Sequence, residues 1–176
     1  MRQPRVFMLP PAAPVESSYR VVGAAEIAPA VLQKILGDIR IEYGNIEQSA
    51  PAMLRLEDVM PNGSVAGAAV TFLADANGLR KAVVRHTGGS REVVEELFFR
   101  HDSLFFAFRR TTFRDGAERA LEDRFYLSGE RVVRWQNSDG NLAALGGSLP
   151  SRRATWIHGS AMQALSVWRE RSQSSP

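Results

Sequence analysis

Hydrophobic and polar positions change period twice along the chain. From Pro29 the apolar residues Leu32, Ile35, Leu36, Ile39, Tyr43 and Ile46 recur at spacings of three and four, which places them on one stripe of an amphipathic helix. Pro29 suits its first turn, where a missing N–H costs nothing, and the Ser-Ala-Pro at 49–51 ends it. Gly37 and Gly44 weaken it by about 1 kcal/mol each relative to alanine, so it depends on packing.

After a linker through Leu54, Leu56 and the PNGS at 61–64, the period becomes two. Turn residues recur at Asn77-Gly78, Gly88-Gly89, His101-Asp102, Asp115-Gly116, Ser128-Gly129 and Asp139-Gly140. Pairs of this kind accept the positive φ angles of tight hairpins. The spacing predicts six sequential strands at 65–74, 79–87, 91–100, 104–113, 118–127 and 131–137, forming an antiparallel meander. Ala161, Ala164, Leu165 and Trp168 then mark a C-terminal helix for which Ser160 is a candidate cap.

The predicted class is α+β: an N-terminal helix packed on a roughly six-stranded antiparallel meander sheet, plus a C-terminal helix. The divisions are an extended proline-rich lead over 1–28, with a short strand at Tyr19–Val22, a single domain over 29–171 and a disordered tail over 172–176. A chain of 176 residues is about one domain long.

Two-residue hairpin loops allow the two sheet faces to be followed from strand to strand. One face collects Val93, Leu97, Phe99, Leu104, Phe106, Phe108, Leu121, Phe125, Leu127 and Val132, and is expected to meet the N-terminal helix. The other mixes Glu92, Glu96, Arg109, Glu122, Arg124 and Arg131 with the aromatics Phe98, Phe105, Tyr126 and Trp135; here Arg109 falls opposite Glu122. Aromatics on a charged face point to binding of a protein or small ligand, or to a cover supplied by the C-terminal segment or by a subunit mate in a homodimer. Four charges, Glu95, Arg110, Asp123 and Arg134, fall on the core side. They form either a neutral rim or a polar site, and in the second case a hydrolase-type acid and base pair is conceivable.

Composition narrows this picture by exclusion. The chain has no cysteine, which removes disulfides and thiolate chemistry. The three histidines, at 86, 101 and 158, lack metal-ligand spacing, and no phosphate-cradling loop or nucleophile elbow is present, so neither a metal nor a cofactor is expected. Net charge is +3, yet residues 91–137 hold nine basic and nine acidic groups. That balance disfavours a nucleic-acid surface, which needs a stripe of one sign and would show steep salt dependence. Charges on both sheet faces argue against a lipid-embedded barrel, and no run reaches the 18 apolar residues of a membrane helix.

The segments GLRKAVVRH at 78–86, EELFFRHDSLFFAFRR at 95–110 and EDRFYLSGERVVRW at 122–135 together resemble an uncharacterised bacterial family of unknown function, often exported. Its members run helix, linker and meander, with paired aromatics before a hairpin turn and an arginine-tryptophan pair like Arg134-Trp135. The chain departs from that pattern at His101-Asp102, where the family favours Asn/Asp-Gly. The resemblance implies the same fold and a periplasmic or secreted location where an export signal has been removed, and otherwise a cytoplasmic one; it implies no catalytic residues. The expected role is a non-catalytic binding or interaction module using the outer sheet face.

Overall fold

A computed structural model describes residues 27–60, 67–114, 119–139 and 148–174. The elements are α1 (Pro29–Ser49), a short 3-10 turn (Ala50–Ala52), β1 (Leu54–Met60), β2 (Ala68–Asp75), β3 (Gly78–Gly88), β4 (Arg91–Arg100), β5 (Ser103–Phe113), β6 (Arg119–Ser128), β7 (Arg131–Gln136) and α2 (Ser148–Ser174). The strands form one antiparallel sheet in sequential order, so the α+β meander holds with seven strands rather than six. The added strand is β1, placed in a linker by the sequence reading. Its exposed side carries Arg55 and Glu57, and Asp58 interrupts the inward series of Leu56 and Met60, as suits an edge strand that must resist further pairing. The lead strand at Tyr19–Val22, most of the proline-rich lead and the Asp115-Gly116 turn lie outside the described residues.

The layering differs from the expectation. Both faces are covered: α2 lies on the face that carries Val70, Phe72, Val84, Leu97, Phe125 and Leu127, and α1 lies on the opposite face over Phe98, Phe105 and Phe106. The predicted stripe of α1 does face a sheet, with Leu36, Ile39 and Ile46 buried, but the sheet face is the mixed aromatic and charged one, not the apolar one expected to receive it. The helix α2 is also longer than expected. It begins at Ser148, with Pro150 in its first turn, and continues to Ser174 through part of the expected tail. Ser160 is therefore inside the helix, not its cap. Among the described residues no helix is long and apolar enough to cross a membrane.

Bulges account for the exchange of faces. The β2–β3, β4–β5 and β6–β7 turns lie at one end of the meander, and each is followed by a register shift. Phe99 pairs with Leu104 but Phe98 pairs with Phe106, leaving Phe105 as the extra residue. Arg80 and Val133 are the corresponding extras in β3 and β7. One inserted residue sends every later side chain of that strand to the other face. The tight β4–β5 turn itself forms as predicted, with positive φ at both His101 and Asp102.

Charged contacts fasten both helices. Along α2, Arg153 bonds Asp123, Arg169 meets Asp102 and Arg171 pairs with Asp58. On α1, Glu42 takes Arg80 and Glu47 takes the Lys81 ammonium at 2.6 Å. Lys81 is also 2.7 Å from Glu96 and lies 4.8 Å from the Phe98 ring centre. Burial disfavours its charge, but the two carboxylates outweigh burial and raise its pKa.

Candidate functional site

Of the four aromatics expected either to bind a partner or to lie under a cover, none is freely displayed. Phe98 and Phe105 are buried beneath α1, and Trp135 is buried on the α2 face, stacked on Phe125 at 5.8 Å. Trp135 changes face because Val133 is bulged. Tyr126 alone remains half-exposed on the α1 side, 5.1 Å from Phe106.

What α1 leaves uncovered is a cleft of about 320 Å³ between the helix and strands β4 to β6. Ile39 and Tyr43 line it from the helix, and Phe106, Phe108 and Tyr126 from the sheet, with Arg40, Glu96 and Arg124 supplying charge. The apolar side is rigid: Tyr43 packs edge-on against Phe98 and Phe106 at 5.0 and 5.4 Å. Arg124 lies over Phe108 at 5.3 Å and donates to Glu122 at 3.0 Å. Glu96 is neutralised by Lys81, while Arg40 makes no ion pair among the described residues, leaving the cleft net positive.

The four core-side charges are likewise divided. Glu95 and Asp123 lie on the α2 face, but Arg110 and Arg134 turn to the α1 face, where Arg110 pairs with Glu122 at 2.7 Å and Arg134 lies near Tyr126. The ion pair expected between Arg109 and Glu122 thus forms one residue later. Arg109 instead stands beside Glu95 in the ladder, with 3.7 Å from its Nε to Oε1. The acid and base constellation of Glu95, Arg110, Asp123 and Arg134 is not assembled.

A different polar cluster replaces it. Glu95 is fully buried, and its two oxygens accept hydrogen bonds from Trp156 Nε1 and Ser160 Oγ, each at 2.6 Å. His86 Nε2 stands 3.5 Å from Oε2 but is poorly directed for a hydrogen bond. Beside this group, Asp123 accepts from Trp135 Nε1 at 2.9 Å and from Arg153 Nη1 at 2.8 and 2.7 Å. Burial pushes the Glu95 carboxyl up, but His86, Ser160 and Arg109 together outweigh it and hold the pKa below its usual value. A carboxylate kept ionised this way accepts hydrogen bonds and is unsuited to act as a general acid near neutral pH. Trp156 and Ser160, which bond Glu95, and Arg153, which bonds Asp123, all come from α2, so no local motif links them to those carboxylates.

These groups set a pH dependence. His158 on α2 is buried, and burial lowers its pKa from 6.5 to about 4. A depressed histidine is neutral in the folded state, so its contribution is present above pH 6.5 and is lost as pH falls from 6.5 toward 4. Glu95, also depressed, contributes above the ordinary carboxyl range and loses that contribution as pH falls through its folded value. Urea midpoints recorded against pH should fall in two stages, and His158→Asn should remove about one proton's worth of slope from the upper stage. An unaltered upper slope in that variant would contradict the assignment.

Among the described residues no group of histidines and carboxylates could hold a metal ion. No family model matches the chain, and neither a curated protein nor a solved structure matches it.

Proposed function

We propose that the chain is a non-catalytic binding module that takes a small amphipathic ligand, apolar or aromatic with one acidic group, in the cleft between α1 and strands β4 to β6. The carrying observation is the combination of an aromatic wall, from Tyr43, Phe106, Phe108 and Tyr126, with Arg40 at its rim, which makes no ion pair among the described residues. A cleft of about 320 Å³ is at the small end of the range for ligand pockets, and apolar walls with a few placed polar groups are their usual make-up. Of the aromatics expected to bind, Tyr126 lines this cleft, and Phe106 and Phe108 join it from the set expected on the core side. The resemblance to an exported bacterial family belongs to the same proposal and suits a role in ligand capture outside the cytoplasm.

The aromatic sulfonate 1-anilinonaphthalene-8-sulfonate has the required chemistry and serves as a probe. Its fluorescence should rise saturably with one site per chain. Arg40→Gln should weaken binding about 5- to 10-fold, the scale of one charge-assisted contact, and Phe108→Ala should weaken it at least as much. Circular dichroism confirms that each variant is folded. Binding unchanged in both variants would overturn the assignment.

A further inference from the structure

On the opposite face, where the β3–β4 turn emerges beside α2, lies a second cavity of about 250 Å³. Its walls include His86, Arg91, Val93, Arg109 and Trp156. Arg91, Val93 and Glu95 alternate along β4 toward α2; His86 is opposite Val93 on β3, and Arg109 opposite Glu95 on β5. Trp156 reaches down from α2, half-exposed, with its indole N–H on Glu95.

The donors here exceed the acceptors. The oxygens of Glu95 are already engaged by Trp156 and Ser160, and those of Asp123 by Arg153 and Trp135. Arg109 is mostly buried, with a side-chain exposure of 14%. It nevertheless makes no hydrogen bond among the described residues; its Nε and His86 Nε2 are both shielded and without a hydrogen-bond partner. Its guanidinium lies 5.0 Å over the Trp156 ring, which fixes the plane of the fork. Arg91, at the exposed rim, makes no ion pair among the described residues. A guanidinium held flat, still owning its donors and bordering a cavity, is suited to bidentate recognition of a carboxylate.

We propose that this cavity binds a small monocarboxylate anion, gripped by the Arg109 guanidinium and steered by Arg91, with its alkyl part against Trp156 and Val93. A single negative charge is selected because the Glu95 carboxylate stands 3.7 Å from Arg109 Nε. A monoanion balances the excess arginine, whereas a phosphate dianion would bring a second charge against a buried carboxylate. The small volume and the Trp156 wall favour a chain of a few carbons. This site is separate from the α1 cleft and does not depend on it.

The test is a ¹H–¹⁵N titration of the full chain with sodium propionate at ionic strength held constant with sodium chloride, and a parallel titration with inorganic phosphate. Propionate should shift the Trp156 indole N–H and the Arg109 Nε–H saturably, and leave the resonances of Tyr43 and Phe108 in place. Arg109→Lys, which keeps the charge but loses the planar fork, should weaken binding at least about 10-fold. Arg91→Gln should weaken it about 3-fold, as expected for an exposed steering charge. Arg91 is exposed and makes no ion pair among the described residues, so its variant keeps the test decisive should Arg109→Lys fail to fold. Linear, unsaturated shifts would overturn the proposal, as would wild-type affinity in a folded variant of either arginine. Phosphate binding more tightly than propionate would overturn it too.

Discussion

Replacing Glu95 by alanine is expected to lower the unfolding free energy by about 3–5 kcal/mol, read from urea denaturation at pH 7, whereas Arg110→Ala should lower it by no more than about 1 kcal/mol. The first substitution removes the acceptor of both Trp156 and Ser160 and the carboxylate beside Arg109 and His86. It leaves the Arg109 charge under α2 without its ladder partner, and breaking a buried pair from one side costs far more than the pair is worth intact. Arg110, by contrast, is exposed and meets Glu122 on the other face. The two results together test the bulge at Phe105. Without it, Arg110 would share the buried face with Glu95, and its replacement would cost several times more than about 1 kcal/mol.

Phe98→Ala should cost a further comparable amount, about 3–5 kcal/mol. The Phe98 ring is fully buried, against Tyr43 at 5.0 Å, Phe106 at 5.5 Å and the Lys81 ammonium at 4.8 Å. Removing it opens a void where α1 meets the sheet and takes the aromatic partner from a lysine whose charge is already desolvated. Because the loss lies at the α1 contact, amide exchange in α1 should accelerate more than in α2. A loss below about 1 kcal/mol would contradict the burial of this face beneath α1.

The meander was legible because its turns are marked by residues that accept positive φ, and these do not depend on tertiary context. The stripe of α1 was legible for the same reason, since period alone defines it. The faces were harder. Strict alternation assigns Phe106, Phe108 and Arg110 to the side of Leu104, and a single extra residue reverses all three. A signal for this is present in the sequence: after each turn at the bulged end, core positions stand three apart, as Leu79 and Ala82, Leu104 and Ala107, and Val132 and Trp135. The same spacing recurring in three hairpins identifies a common bulge, whereas a regular strand would space them by two or four. The doubled Arg109-Arg110 hides the shift, because either register puts one arginine on each face, whereas the bulge brings both Phe105 and Phe106 under α1.

The division of labour between the helices was less visible. Both have an apolar side, and nothing in a period says which sheet face receives which helix. The α2 contacts of Glu95 span 61 and 65 residues in sequence, and the arginine beside it, Arg109, differs from its neighbour Arg110 only in register. The cleft under α1 exists because that helix was placed on a face rich in aromatics and charge, which no local pattern could indicate.

The most direct measurement of the functional account is a set of intermolecular NOEs from bound 1-anilinonaphthalene-8-sulfonate to assigned aromatic protons. The account predicts contacts to Tyr43 on α1 and, from the same bound molecule, to Phe108 and Tyr126 on the sheet. Contacts to the sheet rings without Tyr43, or to Trp156 and Trp168 instead, would contradict a binding site formed between α1 and the sheet.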